Sequence, residues 1–269
     1  MKSHSCRKLF LPLALLAAIP LVGRGQAFVE LTNGQRVPVE RILATPDGTL
    51  TVFRPGQTQS TPIPREGYVR AVGIRPAELD RANQLVAAGN TEEAIPLLET
   101  IFRQSMFQTW DVVAGITLAN LRIEANTPSQ ADRLLQQIRE RYGDRTLTLF
   151  PQLEQVQWRV RIASGNVEGL EEELTGILRE PGQRDRAGIA LITRGDIKRQ
   201  REELRPAILD YLRAVYFYRN NPGIHAEALY KTGLAFTELG EIANARKYFT
   251  ELRETHPDSE FAARAAAAN

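Results

Sequence analysis

The chain has 269 residues but only one cysteine, three histidines and two tryptophans. The single cysteine, Cys6, lies near the start, so the residues beyond it can form no disulfide and no thiolate zinc site, and they offer no thiol nucleophile. The phosphate-binding loop, the dinucleotide fingerprint and the G-x-S-x-G motif are missing as well. These absences exclude the common catalytic classes, and the sequence predicts no enzyme activity, no cofactor and no metal ion.

The chain also has almost no excess of charge of either sign, since 34 Lys and Arg residues stand against 32 Asp and Glu residues. Four of the basic residues lie in the first 27 residues, at Lys2, Arg7, Lys8 and Arg24. Without that segment 30 basic residues face 32 acidic ones, a net charge of −2. The balance therefore gives no general attraction to nucleic acid or to anionic lipid.

Residues 1–27 have the three parts of a secretory signal peptide. A basic start precedes the apolar run LFLPLALLAAIPLV, and small residues follow at Gly25 and Ala27. A membrane anchor is the alternative, but the run falls short of the roughly 20 residues that span a bilayer. Because Cys6 precedes the apolar run, the pattern does not fit a lipoprotein. We therefore predict cleavage after Ala27, a mature chain without a transmembrane segment, and a periplasmic or secreted location.

Residues 28–74 carry strand patterns and turn signals. Asn33-Gly34 separates FVELT from QRVPVERIL, and Asp47-Gly48 precedes TLTVF. The pattern predicts four or five short strands in a small meander or open barrel, which resembles SH3-like barrels in its turn spacing. Two roles stay open for this β module: a cap on the helices that follow, which we favour slightly, and a second binding surface.

Helical periodicity begins at Arg75 and repeats along the rest of the chain. One small or apolar position recurs at spacings of 37, 39, 37 and 38 residues, at Ala94, Ala131, Leu170, Ala207 and Ala245. A larger residue follows four positions later, at Leu98, Leu135, Leu174, Tyr211 and Phe249. Seven positions later stand Ile101, Ile138, Ile177, Ala214 and Leu252. Spacings of four and three place these residues on one buried helix face.

Each repeat has room for a second, preceding helix with its own close-packing position. The residues at that position are Ala82, Ala119, Trp158, Gly195 and Gly233. Trp158 is far too large for close helix packing, so we expect the third repeat to depart from regular packing. The aromatic group Tyr211, Tyr216, Phe217 and Tyr218 is interpreted as core.

The last repeat, from Asn221 to Pro257, carries a family resemblance. It reads NPGIHAEALYKTGLAFTELGEIANARKYFTELRETHP and resembles a tetratricopeptide repeat, in which small residues let two antiparallel helices approach closely. The resemblance implies a mainly α fold, an α-α superhelix of about five helix pairs behind the β module. We place the repeats at 75–105, 108–143, 147–181, 184–220 and 222–257. Residues 258–269 are predicted to form a terminal capping helix.

The last repeat and the alanine-rich segment after it carry a narrower resemblance. They are similar to repeats of periplasmic cell-envelope proteins, namely the outer-membrane assembly lipoprotein and the cell-division coordinator associated with the Tol–Pal system. Those families imply scaffolding rather than catalysis. The sequence departs from the lipoprotein because it has no cysteine after the apolar run.

Stacked helix pairs of this kind bind peptide segments on the side formed by the first helices. Counting in the repeat frame, we predict partner-binding residues at Asn83, Asn120, Arg159, Asp196, Arg199, Tyr230 and Glu238. The favoured function is an exported, non-enzymatic scaffold that binds a protein or peptide of the cell envelope. The alternative is a structural subunit of an envelope complex that makes its contacts through the β module and the terminal helix.

The two histidines of the mature chain are His225 and His256. Neither has a histidine or cysteine at the spacing of a metal-ligand pair, and the repeat frame places them on opposite sides of one helix pair. We therefore interpret them as structural or surface residues rather than as a metal site.

Overall fold

The computed structural model describes residues 27–267, so the predicted signal peptide lies outside the described residues except for Ala27. The chain divides into two compact units, and the division falls between Val160 and Arg161. We call them the N-terminal unit and the C-terminal unit. Among the described residues, none of the helices combines the length and the apolar character that crossing a membrane requires.

The N-terminal unit begins with six short strands, β1 to β6. Their bounds are Phe28–Leu31, Arg36–Pro38, Arg41–Ala44, Leu50–Phe53, Ser60–Ile63 and Tyr68–Val72. They form two antiparallel sheets of three strands each, in the orders β2-β1-β6 and β3-β4-β5. The predicted turns are confirmed, because Gly34 and Gly48 both adopt the positive φ angles (84° and 86°) that a tight hairpin needs.

The expectation of four or five strands is wrong because one continuous run of sequence serves both sheets. Val39 donates its backbone N–H to Ala27 O across 2.8 Å, while the next residue, Glu40, donates to Phe53 O across 2.7 Å. The chain therefore changes sheets between these two residues. The inner faces of the two sheets share one small core, which includes Val29, Val37, Ile42, Leu50 and Val52.

The β module is fastened to the helices that follow it. Phe107, in the loop between the second and third helices, is buried in the core of the module. The indole N–H of Trp110 donates to Gly73 O at 2.8 Å, and the Thr109 hydroxyl donates to Ala71 O at 2.8 Å. A module this small has little core of its own, so these contacts supply part of its stability.

Helices make up the rest of the chain. In the N-terminal unit they are α1 Ala77–Ala87, α2 Thr91–Gln104, α3 Trp110–Glu124, α4 Pro128–Tyr142 and α5 Thr146–Leu149. Helix α6, Gln152–Ala163, runs across the division. In the C-terminal unit they are α7 Leu170–Ile177, α8 Arg184–Gln200, α9 Leu204–Phe217, α10 Pro222–Glu238, α11 Ile242–Thr255 and α12 Glu260–Ala267.

The predicted repeat frame places the core correctly. Consecutive helices pack as pairs, α1 with α2, α3 with α4, α8 with α9 and α10 with α11. Of the five recurring positions, four are completely buried and the fifth, Ala245, is 3% exposed. The residues four and seven positions later are buried as well. The spacing thus identifies the face of each second helix that packs inward.

Close packing in the C-terminal unit depends on glycines that face aromatic rings. A Cβ atom added at Gly233 would lie 2.5 Å from Cε1 of Phe249, and one added at Gly195 would lie 2.7 Å from Cδ1 of Tyr211. Both distances are too short for a side chain, so glycine sets the separation of α8 from α9 and of α10 from α11. Trp158, at the corresponding position of the third repeat, is buried, and the division of the chain falls just after it.

The aromatic group at the end of α9 is only half core. Tyr211 and Tyr218 are buried, but Tyr216 and Phe217 are 58% and 65% exposed. The interpretation of all four as core residues is therefore wrong for Tyr216 and Phe217, because at about 100° per residue they lie about 140° and about 120° around α9 from the buried Tyr211.

The terminal helix α12 packs on α10 and α11. Its apolar residues Phe261, Ala262 and Ala265 are buried in the core of the C-terminal unit. The start of α10 is capped as the sequence predicts, since the Asn221 side chain accepts a hydrogen bond from Ile224 N at 3.2 Å.

Candidate partner-binding site

The predicted binding residues of the N-terminal unit are Asn83, Asn120 and Arg159. Arg159 donates from Nη1 to Oδ1 of Asn120 across 2.7 Å, and this contact joins α3 to α6. Asn120 is completely buried, so a partner cannot contact it. The prediction that Asn120 binds a partner is therefore wrong. Asn120 orients the half-buried Arg159 instead, while Asn83 lies half-buried on α1.

In the C-terminal unit, Asp196 of α8 is the centre of a group of ionisable side chains. It accepts a hydrogen bond from the Tyr211 hydroxyl at 2.7 Å and a second one from Nζ of Lys231, on α10. Lys231 also forms an ion pair with Glu227, one turn earlier on α10, at 3.2 Å. Burial and the charge of Asp196 hold the pKa of Tyr211 well above its usual value, so the hydroxyl keeps the proton that it donates.

A second ion pair joins the same two helices one turn farther along. Arg199 of α8 donates two hydrogen bonds to the carboxylate of Glu238 on α10, at 2.6 and 2.9 Å. The side chains of Arg199 and Glu238 are 31% and 42% exposed, whereas those of Lys231 and Asp196 are 16% and 20% exposed. The bidentate pair is therefore the more accessible end of the group.

These contacts define the α8–α10 charge network, which consists of Asp196, Arg199, Glu227, Lys231 and Glu238. It contains three acidic and two basic side chains, all held in place by partners on α8, α9 or α10. Carboxylates and a guanidinium fixed in this way can bind backbone amides or charged side chains of another chain without losing much side-chain entropy.

Three side chains of this arrangement were missed in the sequence: Tyr211, Glu227 and Lys231. The four-residue spacing from Glu227 to Lys231 was an available signal, because such pairs share one helix face. Tyr211 was expected in the core, and its ring is there, but its hydroxyl reaches the charge network.

Tyr230, also predicted to bind a partner, packs against aromatic rings of its own chain. Its ring centroid lies 5.7 Å from that of Phe261 on α12 and 6.2 Å from that of Phe249 on α11. The ring therefore stabilises the position of α12 against α10.

The prediction that the two histidines lie on opposite sides of the last helix pair is wrong. Nδ1 of His225 lies 2.7 Å from Nε2 of His256, and the rings meet edge to face with centroids 5.0 Å apart. Because α10 and α11 are antiparallel, the start of α10 lies beside the end of α11, which is where these two residues stand.

Burial, together with the nearby His256 and Arg219, lowers the pKa of His225 to about 4. Burial also lowers the pKa of His256, although Glu251 opposes that shift. Both rings are therefore neutral near pH 7, and one donates a hydrogen bond to the other. Among residues 27–267, no three His, Cys, Asp or Glu side chains come together in a way that could hold a metal ion.

Comparison with known proteins identifies one segment of the chain. A family model for the tetratricopeptide repeat matches residues 227–259, which include most of α10, all of α11 and the turn that follows. No curated protein and no solved structure matches the chain. The family match and the glycine–ring contact between α10 and α11 agree, and the last helix pair of this chain is similar to a tetratricopeptide repeat.

Proposed function

We propose that the chain is an exported, non-enzymatic scaffold of the cell envelope that binds a protein partner over the α8–α10 charge network. Tetratricopeptide repeats are protein-interaction modules, and α10 is the first helix of the matched repeat. The observation that carries the proposal is the bidentate Arg199–Glu238 pair, which is rigid and still partly open to solvent.

The alternative, a structural subunit held through the β module and the terminal helix, has less support. The large apolar side chain of α12, Phe261, is buried in the core of the C-terminal unit, and most apolar side chains of the β module fill its own core. Both elements use their apolar residues within the chain, so neither has a large apolar surface left for assembly.

A charge swap separates a recognition role of the Arg199–Glu238 pair from a purely structural one. Arg199→Glu and Glu238→Arg each place two like charges opposite one another, and the double variant restores the ion pair with its direction reversed. We expect the double variant to regain the wild-type urea midpoint. It should nevertheless capture the partner from the envelope fraction roughly tenfold to a hundredfold less well, because a bound partner then meets each charge in the wrong place.

Two controls define the result. Leu43→Ser changes a 52%-exposed side chain of the β module and should leave capture unchanged. Full capture by the double swap would show that the pair only stabilises the fold. Loss of capture in Leu43→Ser alone would favour the β module as the recognition element.

A further inference from the structure

The outer side of α9 has an unusual composition for a solvent-exposed helix face. Leu209, Tyr216 and Phe217 are 51%, 58% and 65% exposed, although the opposite face of the same helix is buried against α8 and α10. Arg205 and Arg213 are exposed among them. These five residues lie within an arc of about 120°, and we call them the α9 outer face.

The charge of this face is entirely positive. Asp210, the only acidic residue of α9, is completely buried and turned away from solvent. It accepts hydrogen bonds from Arg194 at 2.6 and 2.8 Å and from Lys198 at 2.8 Å. Arg213, 46% exposed, also donates to Asp210 at 3.1 Å, so three cations share this one carboxylate and leave an excess of positive charge. No described acidic side chain forms an ion pair with Arg205.

Burial raises the pKa of Asp210, but the hydrogen bonds from Arg194 and Lys198 outweigh it and hold the pKa below its usual value. Asp210 therefore stays ionised and committed to these cations at neutral pH. An apolar patch bordered by exposed cations is typical of an interaction surface rather than of a solvated helix.

We propose that the α9 outer face is a second docking surface, which binds an acidic amphipathic helix of another protein. Arg205, Leu209, Arg213 and Tyr216 or Phe217 follow each other at steps of three or four residues, so cations and apolar groups alternate along one ridge. Such a ridge packs into the groove between the side-chain rows of a second helix. A partner helix that complements it carries apolar residues flanked by carboxylates about 12 Å apart, the separation of Arg205 and Arg213 along α9.

Two other occupants fit less well. A second copy of the chain, paired through the same face about a two-fold axis, would bring arginine against arginine. An anionic bilayer also attracts arginine and aromatic groups, but it has no helical periodicity that would match the alternation along the ridge.

The test uses two synthetic helical peptides with identical leucine ridges, one flanked by glutamates and one by lysines, and the chain from residue 27 onward. Fluorescence anisotropy should show at least tenfold tighter binding of the glutamate peptide. Leu209→Ser and Phe217→Ser should each weaken it roughly tenfold, since a few exposed apolar anchors dominate such contacts. Arg205→Glu should reverse the preference between the peptides. Circular dichroism should be unchanged, because all three side chains are exposed in the fold.

Matched variants keep the outcome specific. Ile242→Ser removes a side chain that is 53% exposed, at the start of α11, and should not change peptide affinity. The Arg199→Glu, Glu238→Arg double swap should not change it either, which keeps this proposal separate from the α8–α10 site. Equal affinity for both peptides, or equal weakening by Ile242→Ser, would overturn it. Binding to phosphatidylglycerol vesicles without peptide preference would assign the face to lipid, and self-association lost in Phe217→Ser would assign it to a second copy.

Discussion

The two units differ in the residues that lie between the helices of each pair. In the first two repeats of the N-terminal unit the close-packing positions are alanines, Ala82 and Ala119, and the buried residues that recur on the partner helices are Leu98 and Leu135. In the C-terminal unit they are glycines that face the rings of Tyr211 and Phe249. A smaller residue on one helix accompanies a larger one on the other, so the total volume between the helices is preserved.

The family match covers only part of the chain and leaves out the Gly195–Tyr211 pair as well as the alanine-containing pairs. The match includes the Gly233–Phe249 pair and ends soon after α11. Helices that keep the period but use alanine with leucine bury their inner faces equally well. Either combination of residues therefore buries the inner faces of a helix pair when the spacing is kept.

The two tryptophans make the comparison measurable. Trp110 and Trp158 both lie in the N-terminal unit, so tryptophan fluorescence reports the unfolding of that unit, while far-ultraviolet circular dichroism reports the helices of both units.

The largest effect is expected from a charge placed in the core of the matched repeat. Ala245→Asp should destabilise the C-terminal unit by about 2–5 kcal/mol, because an unpaired carboxylate would be buried between α10 and α11. Ala243→Asp, at an exposed position two residues earlier, should cost less than about 0.5 kcal/mol. Urea unfolding followed by circular dichroism checks both, and similar midpoints would contradict the repeat frame.

Exchanging the small residues tests the comparison directly. Gly233→Ala should cost about 1–3 kcal/mol, since the new methyl group would overlap the Phe249 ring. The double variant with Phe249→Leu, which installs the combination used in the N-terminal unit, should recover part of that loss. The measurement is the urea midpoint of the circular dichroism transition. No recovery would mean that volume alone does not explain the difference between the units.

The reverse exchange, Ala119→Gly, should destabilise the N-terminal unit by about 0.5–1 kcal/mol through greater freedom of the unfolded chain. Tryptophan fluorescence follows that unit, and the Gly233→Ala transition serves as the comparison. A larger loss from Ala119→Gly than from Gly233→Ala would reverse the assignment of the tighter contact to the C-terminal unit.

The sequence predicts the fold better than it predicts the site, for a physical reason. Helix periodicity determines which residues face inward. The recurring positions of the repeat frame, of which Ala94 is the first and Leu252 the last, are therefore correctly predicted to be buried. Periodicity cannot show which polar residue of an inward row a neighbouring helix covers. Both Asn120 and Glu238 are predicted to face the groove, but Asn120 is completely buried, whereas the Glu238 side chain is 42% exposed.

The last expected effect is a pH dependence that comes from the last helix pair and has no counterpart in the N-terminal unit, which contains no histidine among its described residues. The pKa of His225 is about 4 in the folded chain and about 6.5 in the unfolded chain, so the unfolded state binds more protons between these values. Stability should therefore fall as the pH decreases from 6.5 to 4 and become independent of this group below pH 4. His225→Asn keeps a polar atom near the position of Nδ1 but does not titrate, so the wild-type chain should lose more stability than this variant across that window. Urea midpoints at pH 7 and pH 4.5 measure the difference, and His256→Gln serves as the matched variant on the other side of the contact.

Arg219 and Glu251, which lie 3.6 Å apart and act on the two rings, are unchanged in both variants. Identical pH profiles for the wild type and His225→Asn would show that the histidine pair does not link protonation to the stability of the matched repeat.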